Sequence, residues 1–565
     1  MKTNWKKIPA ITGSAFFCFA SVFATDNGKG IEYYRAELYD AAKIYFENQI
    51  KQNQGEDLAE CYYYIGECYA ATEELDSAAY FYQKAIQANP EYPYSYIGEG
   101  KLSLKRNNAV AANDFFKKAI GFAKKNPAVH TAIAEAYIDV EQYDKAEDAL
   151  DKARSVKKTF SGIFVAEGDM LMQQGNSGNA CAKYDNAIYF DANDKVAYLK
   201  VARVYKTINP DLALEYLEKL LAIDPEYIPA YVELGDTYSH DKKKMYTKAL
   251  EAYDKFITIP GMSAQQQANY ALLLYYIKDY TRSLAVVDNA LAKNPQNSTM
   301  LRRLQIYNNY ELESYRIGLE KAEKFIQTVA EKNLVVQDFV YYGRLLDKNN
   351  KLKGAIEAYN KAISMDEKGN QTEIYKDLAL AYEKEEDYAN TIVFYKKFIE
   401  NDVNATLSDV RDFGRICYRA GNKKIDATTM TPEEVVADSL IRRDYLLQAD
   451  TLFARVVEGA PENHIGYFWR ARTNASLDPE TVLGIAKPHY EQAAAKLEAA
   501  PEGASRNDLL IECYRYLAYY YYLPEDKPKD KSNCEMYALK ILELDTENTI
   551  AKDFLRAIKS PRAPK

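Results

Sequence analysis

Residues with little or no side chain recur at a fixed interval along this chain. Gly66, Gly100, Ala134, Gly168, Ala202 and Gly235 follow one another at steps of 34, 34, 34, 34 and 33 residues, and Ala78, Ala112, Ala146 and Ala180 keep the same step twelve positions later. Around them apolar residues fall at helical spacing, and short breakers such as TEELD (72–76) and NP (89–90) separate the helical runs. The chain therefore reads as tandem units of two helices, about a dozen residues each. The small residue stands where the two axes cross, because a larger side chain there would force them apart. An array grows its core along one axis, which suits a length of 565 residues that exceeds what a single core can serve. The expected fold class is all-α, an α-solenoid of stacked antiparallel helix hairpins.

Composition agrees with one motif copied many times: there are 50 Tyr against 2 Trp and 4 His. Residues 62 to 90 supply Tyr62, Ile65-Gly66, Tyr69, Ala78, Tyr82, Ala85 and Pro90, and residues 231 to 260 supply Tyr231, Leu234-Gly235, Tyr238, Ala249, Tyr253 and Pro260. This pattern resembles the tetratricopeptide repeat, whose signature runs aromatic, Leu-Gly, Tyr, then Ala, aromatic, Ala and Pro. A partial unit around residues 30 to 50 precedes units starting near 59, 93, 127, 161, 195, 228, 264, 298, 336, 372, 407, 464 and 511. Tyr fills the first aromatic position at 62, 96, 198, 231, 375, 467 and 514, the second at 69, 137, 205, 238, 382 and 521, and the second-helix position at 82, 184, 253, 359, 395 and 490. These tyrosines are read as packing residues whose hydroxyls reach polar edges.

The N-terminus has a different character. Lys2, Lys6 and Lys7 precede the uncharged run IPAITGSAFFCFASVFA, which ends in small residues before Thr25. That order is a secretory signal peptide over 1–24, and an exported, periplasmic protein is expected. Cys18 follows Ala-Phe-Phe, unlike a lipid-attachment site. The remainder carries 70 basic and 82 acidic residues (73 less the three lysines, no acid lost), and a net charge of −12 disfavours nucleic acid and anionic lipid as partners. No further apolar run is long enough to span a membrane. The expected organisation is an N-terminal array over 25–297, a degenerate repeat or hinge over 298–335 where Gln305 takes the small-residue position, a regular array over 336–400, units with long internal loops over 401–558, and a disordered tail over 559–565.

Catalysis finds no foothold in the motifs. HExxH, GxxxxGK[ST] and GxSxG do not occur, and GNSGN (175–179) falls at a helix–helix turn rather than after a strand. Cys61 and Cys68 share one helix, about 10.5 Å apart along its axis, beyond disulfide reach. Cys513 and Cys534 are expected to begin the two antiparallel helices of one hairpin, at opposite ends. With the four histidines (130, 240, 464, 489) scattered among units, no metal site or cofactor is expected, and the thiols at 61, 68, 181, 417, 513 and 534 should be reduced and buried.

The resemblance implies a non-enzymatic scaffold that holds peptides or partner helices against its first helices. Arrays of this family that clamp the C-terminal carboxylates of heat-shock chaperones carry a Lys-and-Asn pair on the first groove helix. Tyr63 and Glu67 stand at the corresponding positions here, so that activity is not carried over. Connections lengthen at 421–430, 476–486 and 523–533, each within a unit and so along one edge of a stack. Thr431-Pro432-Glu433-Glu434, Asp478-Pro479 and Lys487-Pro488 read as the helix starts after the insertions. Arg411, Arg415 and Arg419 recur every fourth residue, with Arg472 beside Phe468 on the next first helix; like charges on one stripe repel unless an anion sits among them. These residues with Tyr519 form one candidate partner site, and Glu60, Glu67, Glu135, Asp139 and Asp169 form an acidic groove upstream. The other reading is a glycan- or nutrient-binding protein using Tyr275, Tyr276, Tyr519 and Tyr522.

Overall fold

The computed structural model describes residues 27–52, 58–240, 245–293, 298–501, 504–522 and 530–559. The signal-peptide reading, Cys18, residues 560–565 of the tail and residues 523–529 of the third insertion lie outside them. The described residues form twenty-nine α-helices and two short 3₁₀ turns, with no β-strand among them. First helices begin at Leu58, Pro93, Pro127, Ser161, Lys195, Ile228, Ala264, Thr299, Val336, Glu373, Leu407 and His464, each within one residue of its expected position. The last begins at Ala504 rather than 511, because nothing between Ala504 and Leu510 breaks a helix, so the run extends two turns before its motif.

The small positions work by admitting an aromatic ring. A Cβ on Gly66 would lie 2.6 Å from the Tyr82 ring, one on Gly168 2.3 Å from Tyr184, one on Gly235 2.7 Å from Tyr253, one on Gly343 2.6 Å from Tyr359 and one on Gly414 2.8 Å from Phe453. All six second-helix tyrosines are buried, at 4% exposure or less. The second small series is sealed as well: Ala78, Ala112, Ala146 and Ala180 have no exposed surface.

Seven residues after the small position the backbone enters the left-handed region, at Glu73, Asn107, Glu141, Gly175, Lys278, Asn350 and Glu386, with φ between 56° and 75°. This residue reverses the chain in three to four residues. In the two units with described insertions the device is absent. Gly421 is still helical at the equivalent position, and the second helix starts only at Pro432. Asp478 ends the His464–Leu477 helix; Asp478-Pro479 opens a turn rather than a helix, with the Asp478 carboxylate accepting from the backbone N–H of Val482 (3.0 Å) and Gly484 (2.7 Å). Lys487-Pro488 does begin a helix.

The chain divides after Asn308, inside the Thr299–Glu311 helix, into two compact units. In the first, the N-terminal hairpin Gly28–Arg35 and Tyr39–Gln52 packs on the next repeat and also on residues six repeats later. Ala36, Leu38 and Ala41 share one buried cluster with Leu250, Tyr253, Phe256 and Met262. Gly261, at φ 88°, lets its loop approach the backbone of Ala41: a Cβ there would fall 2.7 Å from the Ala41 nitrogen. Glu32 reaches Lys195 (3.7 Å), Glu37 reaches Arg203 (3.1 Å), and Arg203 donates to the Arg35 carbonyl (3.2 Å).

In the second unit the hairpin of Leu407–Gly421 with Pro432–Gly459 is asymmetric, since the second helix has 28 residues against 15 in the first. Its start is capped reciprocally: the Thr431 hydroxyl accepts from the Glu434 N–H (3.2 Å), and the Glu434 carboxylate accepts from the Thr431 N–H (2.7 Å).

Candidate functional site

The residue following each small position projects from the face lined by the first helices and forms a charged column. In the first unit the column reads Glu67, Lys101, Glu135, Asp169, Arg203 and Asp236. The second-helix aromatic matches it. Tyr82 donates to Glu67 (2.6 Å), Tyr184 to Asp169 (2.7 Å) and Tyr253 to Asp236 (3.3 Å), whereas Lys101 and Arg203 fall in repeats whose packing residue is Phe116 or Leu217, which have no hydroxyl. Glu135 is the exception, an acid whose packing residue is Leu150.

Cations from adjacent repeats interleave with the acids expected in this groove. Glu67 is buried; it also accepts from the Tyr34 hydroxyl (3.3 Å) and lies 3.6 Å from Lys101, which in turn reaches Asp139 at 2.5 Å. Asp169 pairs with Lys200 (2.9 Å), and Glu60 accepts from the Asn27 amide (2.8 Å). The groove is thus a ladder of mixed charge rather than an acidic strip. Lys101, Lys200 and Arg203 are members that the sequence reading passed over, although Lys101 and Arg203 keep the 34-residue register. Glu135 has no cation within ion-pair distance among the described residues. It lines a cavity of about 390 Å³ with Asp139, Asp169, Met172, Lys200 and Arg203. Enclosure by the surrounding helices, then Asp169, opposed by Lys200, then Asp139, opposed by Lys101, pushes its carboxyl up to about 7, although Glu135 as a residue is exposed, which tempers the effect.

In the second unit two of the four arginines converge on an indole that the sequence reading did not single out. The Arg415 and Arg472 guanidinium groups lie over the Trp469 ring at 5.4 and 5.1 Å. Arg472 also covers Phe468 (4.6 Å), which is buried, and forks onto Glu512 at 2.7 and 2.6 Å. Arg411 bonds Asp412 (3.0 Å) and Ser408 (2.9 Å), and Arg419 bonds Glu383 (3.1 Å). The stripe carries its own carboxylates. Arg415 is the least neutralised of the four, with Asp412 no nearer than 3.7 Å. Tyr519 stands apart from that cluster. It is 38% exposed and lines a cavity of about 400 Å³ with Arg515, Glu512, Ile550 and Phe554. Tyr276 stacks on Tyr246 (4.6 Å) in the first unit, and Tyr522 contacts Phe554 (5.8 Å) in the second, so the four tyrosines of the glycan reading belong to two separate units.

The described cysteines are buried thiols. Cys61 donates to the Asn27 side-chain oxygen (3.3 Å), and burial pushes Cys68 and Cys417 up to about 12. Cys513 lies in the middle of the Ala504–Tyr522 helix instead of at its start, a consequence of that helix's early beginning. Among the described residues, no group of three or more His, Cys, Asp or Glu side chains is placed to hold a metal ion, and no helix is long and apolar enough to cross a membrane.

Models of the tetratricopeptide repeat match residues 27–93 and 342–368. The chain is 23% identical over 297 residues to a TPR repeat-containing protein of Methanocaldococcus jannaschii, covering 47% of this chain and 51% of that one. It is 21% identical over 276 residues to the human protein O-mannosyl-transferase TMTC3, covering 42% of this chain and 30% of that one. The chain therefore spans about half, or less, of the curated relatives it matches. Among solved structures, the C-terminal part of a TPR repeat-containing protein from Cytophaga hutchinsonii is 27% identical, covering 51% of this chain and 99% of that one, with a TM-score of 0.40. The matched segments fall on helix pairs whose small and aromatic positions keep the register seen along the array, so the chain carries tetratricopeptide repeats.

Proposed function

We propose that this protein is a non-enzymatic scaffold of the bacterial cell envelope, which holds protein or peptide partners against the charged column of its first helices. The observation that carries the reading is the incomplete pairing of that column. Glu135 lacks both the tyrosine hydroxyl and the cation that its counterparts have, and Arg415 keeps a guanidinium on an indole face with only a distant carboxylate. Charge left unmatched in a groove favours a partner of opposite charge: a Lys or Arg side chain at Glu135, and an acidic segment at Arg415 and Trp469. Residues 1–24, basic then apolar then small, support export and a mature start near Thr25.

The test is crosslinking in the native envelope with identification of captured proteins, repeated with Glu135→Lys and Arg415→Glu. Loss of a given partner with one variant assigns it to that site, and undiminished capture by both removes the column from the mechanism. Arg415→Glu should weaken an acidic partner by about 2 to 5 kcal/mol if the contact is desolvated, and by well under 1 if it lies at a rim. Arg472 is the poorer probe, since its replacement by Glu would set two carboxylates together and uncover Phe468. N-terminal sequencing of the native protein tests export; recovery of Met1 or Lys2 would overturn it.

A further inference from the structure

The long second helix of the Leu407 repeat has an apolar stripe that no described residue covers. A Cβ on Gly421, the last residue of the partner helix, would lie 2.6 Å from Leu446 and 2.9 Å from the Arg442 carbonyl, so residues 432–441 run on past the hairpin for about 15 Å. On this helix Val436 (60% exposed) and Leu440 (63%) of the arm and Leu447 (47%) beyond it fall at heptad spacing on one face. Glu433 and Arg443 lie on the same face, exposed, with no ion pair among the described residues. The other charges are engaged elsewhere: Asp438 and Arg442 pair with each other (2.5 Å) on the opposite face, Glu434 caps the helix, and Asp444 accepts from Gln448 (2.6 Å).

We propose that this arm is a self-association surface, on which two copies of the chain pair antiparallel through residues 433–443. Charge decides the occupant and the register. An antiparallel pair centred on residue 438 sets Val436 against Leu440 of the second copy and Glu433 against Arg443, twice over by symmetry. The next register along the heptad sets Arg443 against Leu440 and Glu433 against Asp450, which Arg470 already holds (3.0 Å), so neither unpaired charge gains a partner. A parallel pair sets Glu433 against Glu433 and Arg443 against Arg443. One arrangement therefore satisfies both unpaired charges and covers the apolar stripe.

Sedimentation velocity of the full chain across a micromolar concentration series tests this. A concentration-dependent dimer is expected, and Leu440→Asp should abolish it while leaving the helical circular dichroism and melting temperature unchanged, because Leu440 is exposed in the single chain. Glu433→Arg and Arg443→Glu should each weaken the dimer on the order of tenfold, two contacts changing sign in each case, and the combined variant should recover it. A chain that stays monomeric throughout, as when a different protein covers the arm, overturns the proposal. So does a dimer indifferent to Leu440→Asp, which would use another surface, and so does failure of the combined variant to recover what each reversal loses.

Discussion

Glu135 shows how one substitution in a repeat creates a functional candidate. Glu67, Asp169 and Asp236 each accept a buried tyrosine hydroxyl from their own hairpin. At Glu135 the tyrosine is replaced by Leu150, leaving enclosure and like charge to raise the carboxyl to about 7. Between the ordinary carboxylate value and that raised one, the folded chain keeps a proton that the unfolded chain has released. Stability therefore falls as pH rises through this interval. Glu135→Gln removes the dependence, so the variant should lose less stability than the parent between about pH 5 and about pH 8. The carboxylate reaches solvent, which holds the difference to about 1 kcal/mol or less. Melting curves at the two pH values check this, and parallel shifts in both proteins would count against it. The exception was visible in the sequence as an acid out of step with its aromatic. Its consequence was not, because enclosure depends on helices two repeats away.

Each hairpin depends on a ring fitted between backbones. Tyr82 has no exposed surface and fills the space left by two glycines, Gly66 in its own repeat and Gly98 in the next; a Cβ on either would fall 2.6 Å from the ring. Gly66→Ala should therefore destabilise this hairpin by about 1 to 3 kcal/mol through overpacking, less about 1 regained from the helix preference of Ala. Exchange protection of the amides in 58–88 is the measurement, since a repeat array need not unfold in one step. Unchanged protection there would mean that the ring can shift. The helix starts were legible because caps, prolines and small residues act within a few positions of each other. The Ala504 start and the Asp478-Pro479 turn were misread because a helix continues wherever no breaker stops it, and Asp-Pro serves a turn as well as a helix start.

Across the first unit, the N-terminal hairpin acts as a clasp. Leu38 is 2% exposed in a cluster drawn from residues more than 200 positions away. Leu38→Ala should cost about 2 to 5 kcal/mol at that contact. The expected outcome is release of Gly28–Gln52 from the 246–274 region while the repeats between stay folded, read as faster amide exchange in both contact segments and not in 93–190. Uniform loss across the unit would show that the clasp holds the whole array together. The repeat, its period, its hairpins and the tyrosine packing were determined locally, by side chains one or two helices apart, so they were legible as spacing. The cations threaded among the acids and the two arginines over Trp469 depended on how neighbouring repeats stack, and the clasp required the accumulated turn from one repeat to the next. Small rotations at each helix crossing add up over six repeats, and no short stretch of sequence encodes their sum.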